Sequence, residues 1–392
     1  MKVLLIDVNC KYSSTGKIVY DLYRKLLEEG HDAAICYGRG KLIQEHNIYK
    51  FGVDWETFLH AGLSRITGLN GCYSSISTRK LIKYIEKFNP DVVHIHELHA
   101  YFVNIKPLIN YLKKKKKKIV WTFHCEYMYT GKCGHAYDCM NFTKECGNCP
   151  AVKEYPKSLF LDRTRKMFRE KKKMLEDLDF TIVTPSKWLA DRVKMSFLKN
   201  KHIEVIHNGV DTTIFFPRSG GELKKKFKIS NNKHIILFVA PDVMSKRKGG
   251  DWAFKLAEEM INYNVVFVFV GGGKRPDQVP ENIVFAGEIY DQQILAQFYS
   301  MADVYLLCSE KETYSMTCAE AISCGTPVAG FRCGAPETVF KGVYAKFVEY
   351  GDLIGLKSAV IESFDVKKTM KVDADYSTEY MVKQYMIQYK ND

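Results

Sequence analysis

Short unbroken apolar runs recur along the chain, each followed by a helix-length amphipathic segment, and this alternation limits the fold more than any other feature. KVLLID, residues 2–7, precedes a segment from Gly16 to about Glu29 in which Ile18, Val19, Leu22, Leu26 and Leu27 fall at helical spacing. HDAAICY, DVVHIH, KIVWTFH and FTIVTPS continue the series, and IEVIHNG, HIILFVA, VVFVFVGGG, NIVFAG, VYLLCS and PVAG repeat it in the second half. A strand that is apolar throughout must be covered on both faces, which calls for a parallel sheet with helices on each side. The 392 residues exceed one compact domain. We therefore expect an α/β chain of two doubly wound, Rossmann-like domains, residues 1–184 and 185–375. YSTEYMVKQYMIQYK carries Tyr380, Met381, Gln384, Tyr385 and Tyr389 near one helical stripe. Lying past the final strand, residues 376–392 are expected to return and pack on the first domain.

Composition is ordinary for a globular protein, 46% hydrophobic and 26% charged, and no apolar run reaches the length of about 18 residues that spans a membrane. In the opening MKVLLIDVNC, Asp7 interrupts the apolar run and no small-residue cleavage site follows. A buried first strand is expected instead, in a cytoplasmic protein whose twelve cysteines stay mostly reduced. The net charge of +13 is lopsided: residues 1–180 hold 31 Lys+Arg against 20 Asp+Glu, residues 181–392 hold 27 against 25. A basic half suits nucleic acid, an anionic membrane or a phosphate-bearing substrate. Nucleic acid is set aside, because the basic runs have no interleaved aromatic platforms and no reading motif. Lys113–Lys118 reads as a solvated loop. RTRKMFREKKKMLEDL can place Met167, Phe168, Met174 and Leu175 on one stripe, with Arg163, Arg165, Arg169 and Lys172 elsewhere. An ordinary surface helix and a contact with the inner face of a cell membrane both fit that segment.

Parallel sheets bind ligands at the carboxyl ends of their strands, so the exit loops come next. VFVGGGKRP ends a strand in Gly271, Gly272 and Gly273, a close approach to a ligand or a tight turn. SKRKGGDW places Lys246, Arg247 and Lys248 beside Gly249, a holder for a diphosphate or a solvated turn. In SEKETYSMTCAEAISCGTPV, Glu312 stands in an exit loop, Ser315 can cap the following helix, and Glu320 lies about two turns into it. A helix N-terminus receives phosphate through free backbone N–H groups, and carboxylates accept hydrogen bonds from paired hydroxyls. A sugar joined to a phosphate uses both.

Seven residues separate Glu312 from Glu320, and the stretch resembles the E-x7-E signature of retaining glycosyltransferases of the GT-B fold, specifically family 4 (GT4). VIHNGVD (Val205–Asp211), RKG (Arg247–Gly249), VGGG (Val270–Gly273), FAGEI (Phe285–Ile289) and CGAPETV (Cys333–Val339) follow in the family's order. STGKI, VVHIHELHAYFVN and TFHCEYMYTGKC resemble a subgroup of capsule, O-antigen and colanic-acid biosynthesis. The resemblance implies two domains facing across a cleft and transfer of a sugar from a nucleotide-diphosphate sugar to a lipid-linked saccharide acceptor. It implies no cofactor for the catalysis and no metal in it. By the same likeness Glu320 would bind ribose hydroxyls and Glu312 the donor sugar, while Lys248 and Arg247 neutralise the diphosphate. Backbone groups of Thr313, Tyr314 and Ser315 and the glycine turn at Gly272 would complete the cradle. His124 matches the active-site histidine, and Gly16 a loop closing over the donor. Two positions depart from the pattern. Pro241-Asp242 stands where an arginine is usual, and Cys125 follows His124 where the subgroup has aspartate. Phosphorylase, epimerase and nucleic-acid-binding readings explain fewer of these elements.

CGHAYDCMNFTKECGNCP spaces Cys133, Cys139, Cys146 and Cys149 as C-x5-C-x6-C-x2-C, and its CGNC has the shape of a zinc knuckle. Structural zinc, unlinked thiols and paired disulfides all fit this spacing.

Overall fold

A computed structural model describes residues 1–366 and 376–390. The expected domain end at 375 and residues 391–392 of the expected last segment lie outside the described residues. The strands are β1 (Lys2–Asp7), β2 (Asp32–Tyr37), β3 (Ile48–Lys50), β4 (Val92–Ile95), β5 (Lys118–Thr122), β6 (Thr181–Thr184) and β7 (Ile203–Val205), then β8 (His234–Asp242), β9 (Val265–Gly272), β10 (Ile283–Gly287), β11 (Val304–Leu307), β12 (Val328–Phe331) and β13 (Ala345–Val348). They form two sheets, ordered β3-β2-β1-β4-β5-β6-β7 and β10-β9-β8-β11-β12-β13. Every pairing is parallel. Both orders reverse once, between β1 and β4 and between β8 and β11, which is the doubly wound arrangement. The central strands are buried on both faces, Val3 to Ile6 and Ile235 to Leu237 each at 0% exposure.

The chain divides into two compact units, Met1–His207 with the segment from Glu379, and Asn208–Thr378. The boundary thus falls beyond the expected 184. IEV, expected to open the second array, instead forms β7 and pairs with β6 through Ile182–Ile203 and Thr184–Val205. The helix Lys187–Lys194, capped by the Ser186 side chain on the Leu189 N–H at 3.3 Å, turns the chain back to the sheet edge.

The last helix, Thr378–Lys390, packs against the first sheet as expected. Tyr385 and Tyr389 are buried, the Tyr389 hydroxyl 2.6 Å from His94 Nδ1 and the Tyr385 hydroxyl 2.9 Å from Thr122 Oγ1. Of the two readings of the basic segment, the ordinary surface helix fits its burial. In the helix Thr164–Glu176, Met167, Phe168 and Leu175 are buried in the core, so the apolar stripe faces inward. Lys113–Lys115 end the helix Ile105–Lys115, where their charge complements the helix C-terminus, and Lys117 donates to Asn89 Oδ1 and the Pro90 carbonyl. Among the described residues no helix is long and apolar enough to cross a membrane.

Candidate functional site

Lys248 and Glu312, singled out from the sequence, meet where the second sheet reverses its order. In the second unit the turn after β8, Lys246–Lys248, closes at Gly249 with φ +74°. A Cβ there would stand 2.0 Å from the Cys308 carbonyl oxygen, so only glycine lets this turn lie against the exit of β11. Lys248 Nζ then donates to Glu312 Oε1 at 2.5 Å, the two side chains 23% and 12% exposed. Burial pushes the Glu312 carboxyl up, but Lys248, with Ser309 and Arg247, outweighs it and holds the group below the usual carboxylate range. The Glu312 backbone is fixed on both sides, its N–H donating to the Cys333 carbonyl at 2.8 Å and its carbonyl accepting from Ala335 N–H at 3.1 Å. Arg247 is exposed beside this pair, its carbonyl accepting from Glu310 N–H.

Ser315 caps the helix Met316–Ser323 as expected, accepting from Cys318 N–H at 3.4 Å. It does so at φ +82°, a left-handed conformation unusual for a serine. Tyr314 is buried and its hydroxyl donates to the Asn208 carbonyl at 2.9 Å, which leaves backbone rather than side chain for a ligand. Glu320 is buried on the helix and accepts from the Tyr299 hydroxyl at 2.8 Å. Tyr299 is a partner that the sequence reading missed. Gly271 has a packing cause, since a Cβ there would stand 1.7 Å from the Ala240 carbonyl oxygen, whereas one on Gly272 would meet only the movable end of the exposed Glu288 side chain. Where an arginine is usual, Asp242 Oδ1 accepts from Met244 N–H at 3.0 Å and closes this turn.

In the first unit a cavity of about 530 Å³ opens at the ends of β1, β4 and β5, lined among others by Thr15, Arg39, Glu97, His99, His124 and Cys125. His124 Nε2 lies 3.0 Å from His96 Nδ1 with the rings stacked. Burial pushes the His124 imidazole down to about 4, so at neutral pH it acts as a neutral hydrogen-bonding group. Glu97 Oε2 lies 3.0 Å from His99 Nε2 and accepts from Cys125 Sγ at 3.4 Å. Burial opposes charge on both Glu97 and His99, yet their attraction wins, holding Glu97 below and His99 well above their ordinary values. Glu97, His99 and Cys125 are also the one group among the described residues whose metal-donor atoms all lie within 4.8 Å of one another. Gly16, expected in a loop, sits in the first turn of the helix Ser13–Glu28. Ser13 enters the left-handed region at φ +63° and accepts from Gly16 N–H at 3.4 Å, which starts the helix early.

Asp7, at the end of β1, was also missed. It is fully buried and accepts from Thr15 Oγ1 and from the N–H groups of Asn9 and Glu97. Burial, with the charge of Glu97 second, pushes its carboxyl up from 3.8 to about 7. A carboxyl raised in the fold stabilises it while protonated, and that contribution is lost as pH rises through the folded value. Thermal melting from about pH 5 to about pH 8 should therefore fall more steeply for the wild type than for Asp7→Asn. Parallel curves for the two proteins would show that Asp7 is ionised throughout.

Cys133, Cys139, Cys146 and Cys149 line one small cavity of about 20 Å³, and all four are thiols. A hydrogen bond from Cys133 pulls the Cys149 thiol down to about 6 and pushes its own up, while Cys146 Sγ accepts from Gly131 N–H at 3.2 Å. Two buried lysines clamp the loop: Lys132 donates to the carbonyls of Ala151, Val152 and Glu154, and Lys171 to those of Tyr127 and Thr130. Glu126, fully buried, accepts from Arg192, Tyr129 and Ala136 N–H at the loop's root.

Residues 15–214 match the family model described as Glycosyltransferase Family 4, and residues 233–365 the one described as Glycosyl transferases group 1. WcaC of Escherichia coli (strain K12), named as a colanic acid biosynthesis glycosyl transferase, is 23% identical over 420 aligned positions covering 100% of both chains. Sucrose-phosphate synthase from Thermosynechococcus elongatus superposes with a TM-score of 0.68 at 16% identity, over 99% of this chain and 98% of that one. HepE of Anabaena, solved in complex with UDP-glucose, gives a TM-score of 0.66 at 13% identity, over 99% and 98%. At such identities the solved structures speak for the fold, two Rossmann-like units in the GT-B arrangement.

Proposed function

The chain belongs to glycosyltransferase family 4, and from that premise we propose that it moves a sugar, with retention, from a nucleotide-diphosphate sugar to a saccharide acceptor in bacterial surface polysaccharide biosynthesis. The Lys248–Glu312 pair at the strand-order reversal carries this reading. Cleaving the bond between the anomeric carbon and the diphosphate sends the electron pair to a phosphate oxygen. Lys248 and Arg247 meet that charge, helped by N–H groups around Thr313–Ser315 at the helix N-terminus. Glu312 holds a hydroxyl of the reacting sugar. Glu320, oriented by Tyr299, holds the ribose. The acceptor hydroxyl attacks the face the diphosphate leaves, and its proton passes to the departing oxygen, so neither a metal nor a protein nucleophile is needed. Neutral His124 hydrogen-bonds a hydroxyl on the acceptor-side unit. WcaC's name supports polysaccharide biosynthesis, and the UDP-glucose bound by HepE supports a nucleotide-sugar donor. A lipid-linked acceptor at the inner face of the membrane completes the proposal.

A panel of nucleotide sugars, scored by thermal shift and by donor hydrolysis, tests this. Glu320→Ala should mainly weaken nucleotide binding, and Tyr299→Phe should do so more mildly. Glu312→Ala should leave nucleotide affinity nearly intact while turnover falls, because its contact is with the reacting sugar. Wild-type turnover in Glu312→Ala would remove it from the site.

We further propose that the four cysteines hold one structural zinc. The cavity is of single-ion size. Burial pushes Lys132 down and Lys171 down to about 7, the neighbouring thiols oppose this, and thiolates formed on binding an ion would hold both side chains in their charged form. Zn–S bonds of about 2.3 Å would draw the sulfurs closer than they now stand.

A further inference from the structure

One helix of the first unit is built inside out. Asp54–Thr67 buries Glu56, Thr57, His60 and Ser64, while Trp55, Phe58, Leu59 and Ile66 are exposed. At 100° per residue these two sets fall on opposite faces, the apolar one toward solvent. The buried polar set has a structural purpose. Glu56 accepts from the N–H groups of Ile76 and Ser77 and from the Ser77 hydroxyl, which fixes the start of the helix Ser75–Phe88. His60 lies 2.8 Å from Ser74 Oγ and accepts from Gly71 N–H. Nothing comparable accounts for the outer face.

A second apolar segment continues that face. Leu159 N–H donates to the Arg65 carbonyl at 2.7 Å, and the position a Cβ would take on Gly68 lies 2.6 Å from the Leu161 carbonyl oxygen and 3.2 Å from Arg163 Cγ. The loop Leu159, Phe160 and Leu161 is therefore seated against the C-terminal end of the inverted helix. Phe160 is 74% exposed, Phe58 75% and Trp55 59%. Arg65, Lys157 and Arg163 are exposed at this junction. The nearby carboxylates are engaged, Asp54 with Lys50 and Asp162 with the N–H groups of Cys149 and Thr164. Aromatic side chains standing in water beside guanidinium and ammonium groups that have no carboxylate partner among the described residues match the boundary between the headgroups and acyl chains of an anionic bilayer.

We propose that this face, Trp55–Phe58–Leu59–Ile66 with Leu159–Leu161, docks the protein on an anionic membrane, the aromatic side chains entering the interface and the basic ones meeting phosphate headgroups. The proposal replaces the Thr164–Glu176 stripe, which the core occupies, as the membrane-facing surface. It does not depend on the sugar-transfer reading, since binding is measured without any donor.

The test is co-sedimentation of the full chain with vesicles of phosphatidylcholine alone and of phosphatidylcholine mixed with phosphatidylglycerol, across a salt series. Wild type should bind the mixed vesicles and release as salt shortens the reach of charge to about 10 Å at 0.1 M. Trp55→Ser with Phe58→Ser and Phe160→Ser should weaken that binding more than tenfold while the melting temperature holds, because all three side chains are exposed. Phe160→Ser alone, in a loop, serves if the triple variant does not fold. Arg65→Gln with Lys157→Gln and Arg163→Gln should weaken binding at low salt and match wild type at high salt. Neutralising Lys113–Lys118 should have the smaller effect. Equal binding by the apolar variants overturns the proposal, as does wild type that ignores both kinds of vesicle. A wild-type dimer that the apolar triple variant disperses, without vesicle binding, would assign the face to a second copy of the chain instead.

Discussion

Lys248→Ala should lower turnover on the order of a hundredfold, while Lys246→Ala should stay within a few-fold of wild type. The two lysines share one short turn, but only Lys248 reaches Glu312. A fixed cation aimed at the oxygen where charge develops is worth several kcal/mol in the transition state, and a solvated neighbour is worth little. The pair adds a second signature. Without Lys248, burial prevails at Glu312 and its carboxyl rises, so the acid limb of the pH–rate profile should move upward in Lys248→Ala. A lost catalytic cation and a damaged fold can be told apart. Combining Lys248→Met with Glu312→Gln leaves no unpaired buried charge, so its melting temperature should recover toward wild type while turnover stays low. Similar, mild losses for Lys246→Ala and Lys248→Ala would reduce the turn to an ordinary solvated one.

Lys248 and Glu312 were each singled out from the sequence, though not as partners of one another, because each sits in a short stretch with its own local logic. Gly249 ends the cationic turn, Ser315 begins the helix after Glu312, and strand exits are where a doubly wound sheet binds. Central strands were legible for a related reason: β1, β4, β8 and β9 are covered on both faces and read as continuous apolar runs. The edge strands β3 and β13 were not foreseen, since IYK and AKFV are only partly buried and carry no such run. IEV reads like any other strand, and nothing local says which sheet receives it. The same blindness covers Tyr299, Asp7 and Glu97. Each meets its partner across the fold, Asp7 with Glu97 from the neighbouring strand's exit and Tyr299 with Glu320 from an adjacent helix.

Amphipathic segments expose a sharper limit. The helix Thr164–Glu176 and the helix Asp54–Thr67 both show a stripe of apolar residues opposite polar ones. The period reveals that two faces exist. Which face turns inward depends on what the neighbours supply. Phe168 and Leu175 meet the core of the first sheet, whereas Glu56 and His60 meet a row of backbone N–H groups and hydroxyls that need acceptors. In the second case satisfying buried donors outweighs burying Trp55 and Phe58, which is why the apolar side stays outside.

If the four cysteines hold zinc as proposed, removing it should cost the first unit more than any single contact in it. Between β5 and the helix Thr164–Glu176 the described chain forms just two three-residue turns, Tyr127–Tyr129 and Asn141–Thr143. A connection this long without regular structure is unusual in a compact domain unless something ties it together. Its start is anchored in the core by Phe123, Tyr127, Met128 and Tyr129, followed by Ala136 and Phe142, and the later part is held largely by polar ties, the Lys132 side chain on the carbonyls of residues 151, 152 and 154. Four thiolates closing on one ion would supply the missing cohesion, and such binding energy counts directly toward folding. Purified protein should therefore hold about one zinc per chain by elemental analysis. Cys146→Ser and Cys149→Ser should each release it, and the melting temperature should drop by roughly ten degrees, given about 2–4 °C per kcal/mol for a unit of this size. Thiol titration in denaturant separates the alternatives. Zinc predicts that all the thiols become reactive on chelation without a reductant. Metal-free protein with every thiol freely reactive would leave the cluster as unlinked cysteines. Metal-free protein that yields four further thiols on reduction would make it a pair of disulfides.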